Sequence, residues 1–190
     1  GKHSYISRTG YTGEDGFEIT APNDIIVKIW EELMRLGKEY DIKPCGLGAR
    51  DSLRLESGYL LYGADIDDEH SSYEANYGWV VKLKKGNFIG KELYEKEKAE
   101  GIKRKLTGIV MEKGILRPGY KVFKDGKEIG VLTSATYSPS LNKSIAEGYM
   151  PPELNIGDSV EVEIRDKRLP AKVSEVPFYK GGVFFFKLEN

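Results

Sequence analysis

Tyr120-Lys-Val-Phe-Lys-Asp-Gly-Lys-Glu-Ile-Gly-Val-Leu-Thr-Ser-Ala-Thr136 is two alternating runs on either side of an Asp-Gly pair. Asp-Gly tolerates the positive φ angles that a two-residue turn demands, so the stretch predicts a β-hairpin with its turn at Lys124-Asp-Gly-Lys127. Working outward, residues 106–111, 144–149, 159–164 and 171–176 repeat the pattern of short runs divided by turn signals. Six strands at that spacing predict a small barrel or sandwich. In Val160-Glu-Val-Glu-Ile164 the alternation sets three aliphatic side chains on one face and two carboxylates on the other. No chemistry is evident in this β-rich part.

The periodicity differs before Ile102. Residues 3–9 alternate as a strand would, but the strand begins abruptly, which suggests a chain that starts mid-domain. Gly10-Tyr-Thr-Gly13 and Glu14-Asp-Gly16 form a turn-rich loop leading into Phe17-Glu-Ile-Thr20, a half-buried strand with Glu18 facing away from Phe17 and Ile19. Asn23 is placed as an N-cap, and Ile26, Ile29, Trp30, Leu33 and Met34 follow at helical spacing. A second helix is predicted over residues 48–56, after the Pro44-Cys-Gly46 break and before a C-cap near Gly58, with Arg50 and Arg54 on one face. Residues 65–69 read as a solvated acidic loop, 77–83 as a strand and 90–101 as a charge-dense helix. The switch to alternation sets a boundary near Ile102, giving regions 1–101 and 102–190.

Composition excludes several function classes. The 29 basic and 30 acidic residues leave a formal charge of −1, so there is no net field for nucleic acid or an anionic membrane. The apolar runs at 59–62 and 183–186 are far too short to span a bilayer. A single cysteine, Cys45, cannot form an internal disulfide; it is read as a small buried hydrophobe in a reducing, cytoplasmic compartment. Only His3 and His70 are present, neither in a nucleophile signature, which argues against a hydrolytic triad. Gly10-x-x-Gly13-x-x-Gly16 lacks the helix and lysine of a phosphate loop. Asp65-Ile-Asp-Asp-Glu-His70 lacks the spacing and distal glutamate of a calcium loop, so no metal site is expected.

Two segments remain: Ser7-Arg-Thr-Gly-Tyr-Thr-Gly-Glu-Asp-Gly-Phe-Glu-Ile19 and Pro44-Cys-Gly-Leu-Gly-Ala-Arg-Asp-Ser-Leu-Arg-Leu-Glu-Ser-Gly58. With Leu61-Tyr-Gly63, Phe88-Ile-Gly-Lys91, Ser138-Pro-Ser-Leu141, Ala146-Glu-Gly-Tyr149 and Pro177-Phe-Tyr179, they resemble the glycine cleavage system T-protein (aminomethyltransferase) family in order and wording. The resemblance covers nearly the whole chain and implies an α+β protein. In it, the C-terminal part of a ferredoxin-like folate-binding region occupies 1–101 and a six-stranded Greek-key β-barrel occupies 102–190. Family members extend further at the N-terminus, and that portion carries the catalytic aspartate. The resemblance therefore implies no catalytic residue in these 190 and no activity for this chain alone.

The resemblance assigns pteridine binding to Glu18 and folate binding to Arg50, with tetrahydrofolate as co-substrate and the lipoylated H protein as partner. The chemistry agrees. A reduced pterin presents N3–H and a 2-amino group side by side, a pair that one carboxylate accepts in bidentate fashion. An arginine fork suits the keto oxygen or the anionic glutamyl tail. The bland alternatives are an exposed strand residue for Glu18 and, for Arg50, an exposed helix residue paired with Asp51 or Glu14. The family tyrosine expected after Pro177-Phe178 has no counterpart in Gly181-Gly-Val-Phe-Phe-Phe186. Ser72, Asn76 and Ala135 also depart from the family's wording, at turns, and Asn76 can still adopt a left-handed conformation. Two other readings stand beside this one. A folate-binding relative of the iron–sulfur assembly type is disfavoured because Lys85-Gly-Asn-Phe-Ile-Gly90 lacks that branch's cysteine. A docking module would use Lys91 and Lys96 to meet an acidic carrier. A region without its partner strands is also expected either to self-associate or to show enhanced amide exchange, with protection concentrated in residues 106–176.

Overall fold

A computed structural model describes residues 3–182. The apolar run at 183–186, and with it most of the stretch searched for the family tyrosine, lies outside the described residues. The described residues form two compact units: one holds residues 3–54 and 180–182, the other Leu55–Tyr179.

In the first unit, β1 (Tyr5–Ser7) and β2 (Glu18–Thr20) pair antiparallel, with Ser7 opposite Glu18. Helix α1 (Asn23–Leu36) corrects the expected cap: Asn23 is its first residue and Pro22 precedes it. The Pro22 carbonyl accepts the Ile25 and Ile26 N–H groups at 3.0 and 3.1 Å, and its extended backbone (φ −56°, ψ 146°) is one that proline's fixed φ permits. A 3₁₀ turn (Gly37–Tyr40) follows, in which a side chain on Gly37 would collide with Ile42. Helix α2 runs Leu47–Glu56. None of the residues of α1 is fully buried, and Val27, Trp30, Leu33 and Leu36 expose 60, 54, 42 and 54% of their surface. Successive members of this set, three apart, adjoin on the helix surface, leaving a winding apolar row open.

The second unit is built on a closed antiparallel barrel in the order β3-β6-β5-β4-β7-β8. Its strands are β3 (Lys105–Met111), β4 (Lys121–Lys124), β5 (Lys127–Ser138), β6 (Lys143–Met150), β7 (Ser159–Ile164) and β8 (Lys167–Ser174). The meander β4–β5–β6 is flanked by β3 beside β6 and β7 beside β4, which is the Greek-key arrangement; β8 closes on β3. Closure removes the open edges that a flat sheet would expose. The inward-facing Ile109, Val122, Leu132, Met150 and Val162 form the core, each at most 1% exposed.

The hairpin turns on Asp125 and Gly126, both at positive φ (51° and 79°), as the sequence predicts. A second turn of the same kind, Arg165-Asp166 with φ 49° and 62°, joins β7 to β8 without any glycine. Gly130 and Gly148 are required where β5 and β6 come closest: a side chain on Gly130 would meet the Tyr149 carbonyl, and one on Gly148 the Val131 carbonyl. There the ladder slips register between Leu132 and Ser134.

Residues 55–101 share the barrel's unit, and here two expectations need correction. Residues 77–83 are not a strand but 3₁₀ turns at Gly78–Val80 and Leu83–Lys85. Their backbone groups are used locally: the Tyr77 N–H bonds the Ser72 carbonyl at 2.7 Å and the Val80 N–H the Tyr77 carbonyl at 3.0 Å. Asn76, at φ 64°, breaks the alternating run, while its side chain donates to the Leu106 carbonyl at 2.7 Å. Helix α3 (Lys91–Glu100) lies between Gly90 and Gly101, both at positive φ.

The acidic segment 65–69 is not uniformly solvated either, because Asp65 is fully buried. Its Oδ1 accepts the Thr133 hydroxyl at 2.6 Å and its Oδ2 the Leu61 N–H at 2.9 Å, while its carbonyl accepts the Tyr149 hydroxyl at 2.9 Å. Burial is the main cause that pushes the Tyr149 phenol's pKa well up, so the group stays a donor. Glu56, only 1% exposed, behaves similarly. Its Oε1 accepts the Ser138 hydroxyl at 2.5 Å and the Ser140 N–H at 3.2 Å; its Oε2 accepts the Ser140 hydroxyl at 2.7 Å.

Replacing Glu56 by alanine leaves buried hydroxyl donors without their acceptor. We expect a loss of about 2–4 kcal/mol in unfolding free energy, read by urea denaturation. In deuterium exchange by mass spectrometry, peptides from β3, β5 and β6 should exchange much more slowly than those from β1, β2 and α1, since protection follows buried contacts and closed ladders.

Candidate functional site

The residues singled out in the sequence, Glu18 and Arg50, both lie in the first unit. Glu18 opens β2 and is exposed, as is Arg50 in α2. Both are tied to the turn-rich loop between β1 and β2. Thr9 donates its hydroxyl to Glu18 Oε2 at 2.5 Å. The Arg50 guanidinium carbon stands 4.4 Å from the centre of the Tyr11 ring, a cation–π contact that keeps the positive charge while fixing its plane. The loop itself is bridged at its base by Arg8 and Asp15, with Nε to Oδ1 at 2.8 Å and Nη2 to Oδ2 at 2.5 Å. That hydrogen-bonded pair is the main cause holding the Arg8 pKa above its usual value. Sequence reading passed over Thr9, Tyr11 and the Arg8–Asp15 fork. The available signal was a pair of opposite charges, Arg8 and Asp15, enclosing Gly10 and Gly13.

Arg50 does not take Asp51 as its partner. Asp51 binds Arg54 instead, at 2.8–2.9 Å, and Arg54 is 3% exposed although the spacing sets it on one face with the exposed Arg50. Cys45 also departs from expectation: it is exposed, not buried, in the extended segment before α2.

A second polar cluster occupies residues 67–74 of the other unit. His70 Nδ1 lies 2.6 Å from Asp67 Oδ1, and its ring stacks on Tyr149 with centroids 4.2 Å apart. Arg104 bonds Glu74 at 3.0 Å and the Glu69 carbonyl at 2.7 Å. The Asp67 carboxyl pKa is lowered first by the Glu69 N–H and then by His70. Every member is engaged by a neighbour, which suits a structural clasp. Among the described residues no group of three or more His, Cys, Asp or Glu side chains could hold a metal ion.

An open cleft of about 620 Å³ at the start of α3 is lined by Asn87, Phe88 and Lys91 among others. Lys91 is paired with Glu95 at 3.6 Å, and α3 carries three lysines and four glutamates, so its surface has no single sign. That mixture gives the docking reading through Lys91 and Lys96 no basic face. A smaller apolar cleft of about 350 Å³ lies among Leu33, Leu36, Gly37, Tyr40 and Ile42. Neither cleft includes Glu18 or Arg50. No helix among the described residues is long and apolar enough to cross a membrane.

The GCVT N-terminal domain matches residues 1–85, and the glycine cleavage T-protein C-terminal barrel domain matches residues 104–180. The aminomethyltransferase of a Geobacillus species is 50% identical over 183 residues, and that of Thermosipho melanesiensis 49% identical over 180. These alignments take in 95 and 94% of this chain but 50 and 48% of the relatives. The crystal structure of glycine cleavage system aminomethyltransferase T from Bartonella henselae superposes with a TM-score of 0.86 at 34% identity, over 94% of this chain and 50% of that one. The chain thus spans about half the length of the relatives it matches. With both halves of its length matched to one protein and its α+β architecture reproduced in a solved relative, the chain belongs to the glycine cleavage T-protein family.

Proposed function

We propose that the protein of which these residues are part is a tetrahydrofolate-dependent aminomethyltransferase of glycine cleavage, and that Glu18 and Arg50 hold the folate. One observation carries this reading: the two side chains that the family resemblance assigns to folate are both braced by the same loop, Glu18 through Thr9 and Arg50 through Tyr11. A carboxylate and a guanidinium held in this way can meet the N3–H and 2-amino edge of a reduced pterin and an anionic or carbonyl group of the same molecule.

In the proposed reaction, N5 of tetrahydrofolate attacks the methylene carbon of the aminomethyl group carried on the lipoyl sulfur of the H protein. Ammonia departs and the carbon–sulfur bond breaks, N10 closes onto the same carbon, and the N5 and N10 protons pass to the leaving nitrogen and sulfur, giving methylenetetrahydrofolate and the reduced lipoyl arm. No protein nucleophile is needed. Catalysis rests on bringing N5 to the carbon and on stabilising an iminium-like charge, and the resemblance assigns that stabilising carboxylate to a part of the family sequence outside these 190 residues. The role of the present residues is to orient the pterin. A cytoplasmic setting accords with the lone exposed cysteine. The open apolar row on α1 supports self-association of the chain when it is produced alone.

Glu18→Gln keeps the size of the side chain and removes its charge, and one oxygen becomes an amide donor facing the donors of the pterin. In the full-length protein we expect tetrahydrofolate binding to weaken by about 1.5–3 kcal/mol, the usual worth of hydrogen bonds to a charged group. Anaerobic calorimetry measures it, and an unchanged affinity removes Glu18 from the pocket.

A further inference from the structure

Glu18 lies on a three-residue strand and is exposed, so nothing in its packing fixes the carboxylate plane. Bidentate acceptance of two parallel N–H groups needs that plane set before the ligand arrives, because each rotor frozen on binding subtracts from affinity. The Thr9 hydroxyl supplies the constraint through its 2.5 Å bond to Oε2. With Thr9 the one donor on Oε2 among the described residues, one lone pair remains there and both on Oε1, enough for a two-point contact.

Thr9 is itself held on two sides. It is β-branched and therefore stiff at its first torsion. It also directly follows Arg8, whose guanidinium grips Asp15 with two parallel bonds across the loop. A bidentate fork fixes direction as well as distance, so Arg8 and Asp15 clamp the loop to its base. Ser7 faces Glu18 across the β1–β2 ladder, which brings the clamped residue and the carboxylate to the same end of the strand pair.

We infer that Thr9, held by the Arg8–Asp15 fork, is a positioning residue that presets the Glu18 carboxylate for the pterin edge. This rests on the reading of Glu18 as a folate-binding residue. The test is anaerobic calorimetric titration of tetrahydrofolate into the full-length protein and four variants: Thr9→Val, Thr9→Ser, Glu18→Gln and the double change of Thr9→Val with Glu18→Gln. Thr9→Val should weaken binding about five- to tenfold, with its thermal midpoint near that of the parent. Thr9→Ser, which keeps the hydroxyl, should stay within about twofold. The double variant should bind no more weakly than Glu18→Gln alone, a non-additivity that a merely structural role would not produce.

Parent-like binding by Thr9→Val while Glu18→Gln is impaired overturns this inference and leaves the folate reading standing. So does a double variant whose losses simply add. Parent-like binding by Glu18→Gln overturns the folate reading and this inference with it. Should Thr9→Val fail to fold, Asp15→Asn tests the same device: a loss of about threefold supports it, and parent affinity overturns it.

Discussion

A carboxylate removed from water must have its oxygens bonded or lose its charge, and Glu56 satisfies that requirement with three donors from one short stretch, Ser138 and Ser140. Much of the second unit follows from this contact. Ser138 ends β5, so bonding it to the last residue of α2 fixes where the strand stops and the chain turns toward β6. The Ser138 hydroxyl, while donating to Glu56, also accepts the Leu141 N–H at 3.0 Å and so shapes the turn itself. Nine residues after Glu56, Asp65 repeats the device on Thr133 of the same strand. The irregular segment between helix and barrel is thereby held to β5 at two buried points.

The first unit is organised on a different principle. It has little buried surface of its own: α1 buries none of its residues, and its strands are three residues long. What order it has around Glu18 and Arg50 comes from directional contacts, the Arg8–Asp15 fork, the Thr9 hydroxyl and the Tyr11 ring. Such contacts fix orientation well but add little stability at exposed positions. A loop built this way is preorganised locally with little burial behind it, which would suit the proposed folate site, where a ligand has to enter and leave.

The barrel was legible because strand alternation and turn chemistry act at short range. Each of the six predicted runs overlaps an observed strand, although β8 begins four residues before its predicted run and ends two before that run does. The Asp125-Gly126 turn is where its residues demand it. The buried carboxylates were missed because their partners are distant in sequence. Asp65 and Glu56 look like surface charges until Thr133 and Ser138 are brought to them. Residues 77–83 alternate like a strand, yet no neighbouring strand takes up the ladder and local bonds win. Arg54 is four residues from Arg50 on the same helix, but one is buried and the other exposed, a difference that periodicity does not contain. For the site, the residue types of Glu18 and Arg50 gave only a chemical possibility, and the family resemblance singled them out. The bracing by Thr9 and Tyr11 emerged with the fold.

The central claim is that Glu18 and Arg50 receive a reduced folate, and its most direct measurement is a crystal structure of the full-length protein with tetrahydrofolate bound. The account predicts both Glu18 oxygens at about 3 Å from the pterin N3 and 2-amino nitrogens. It also predicts Arg50, still stacked on Tyr11, in contact with the keto oxygen or the glutamyl carboxylate of the same molecule. A pterin edge bound by other side chains, with Glu18 left in solvent, would contradict it.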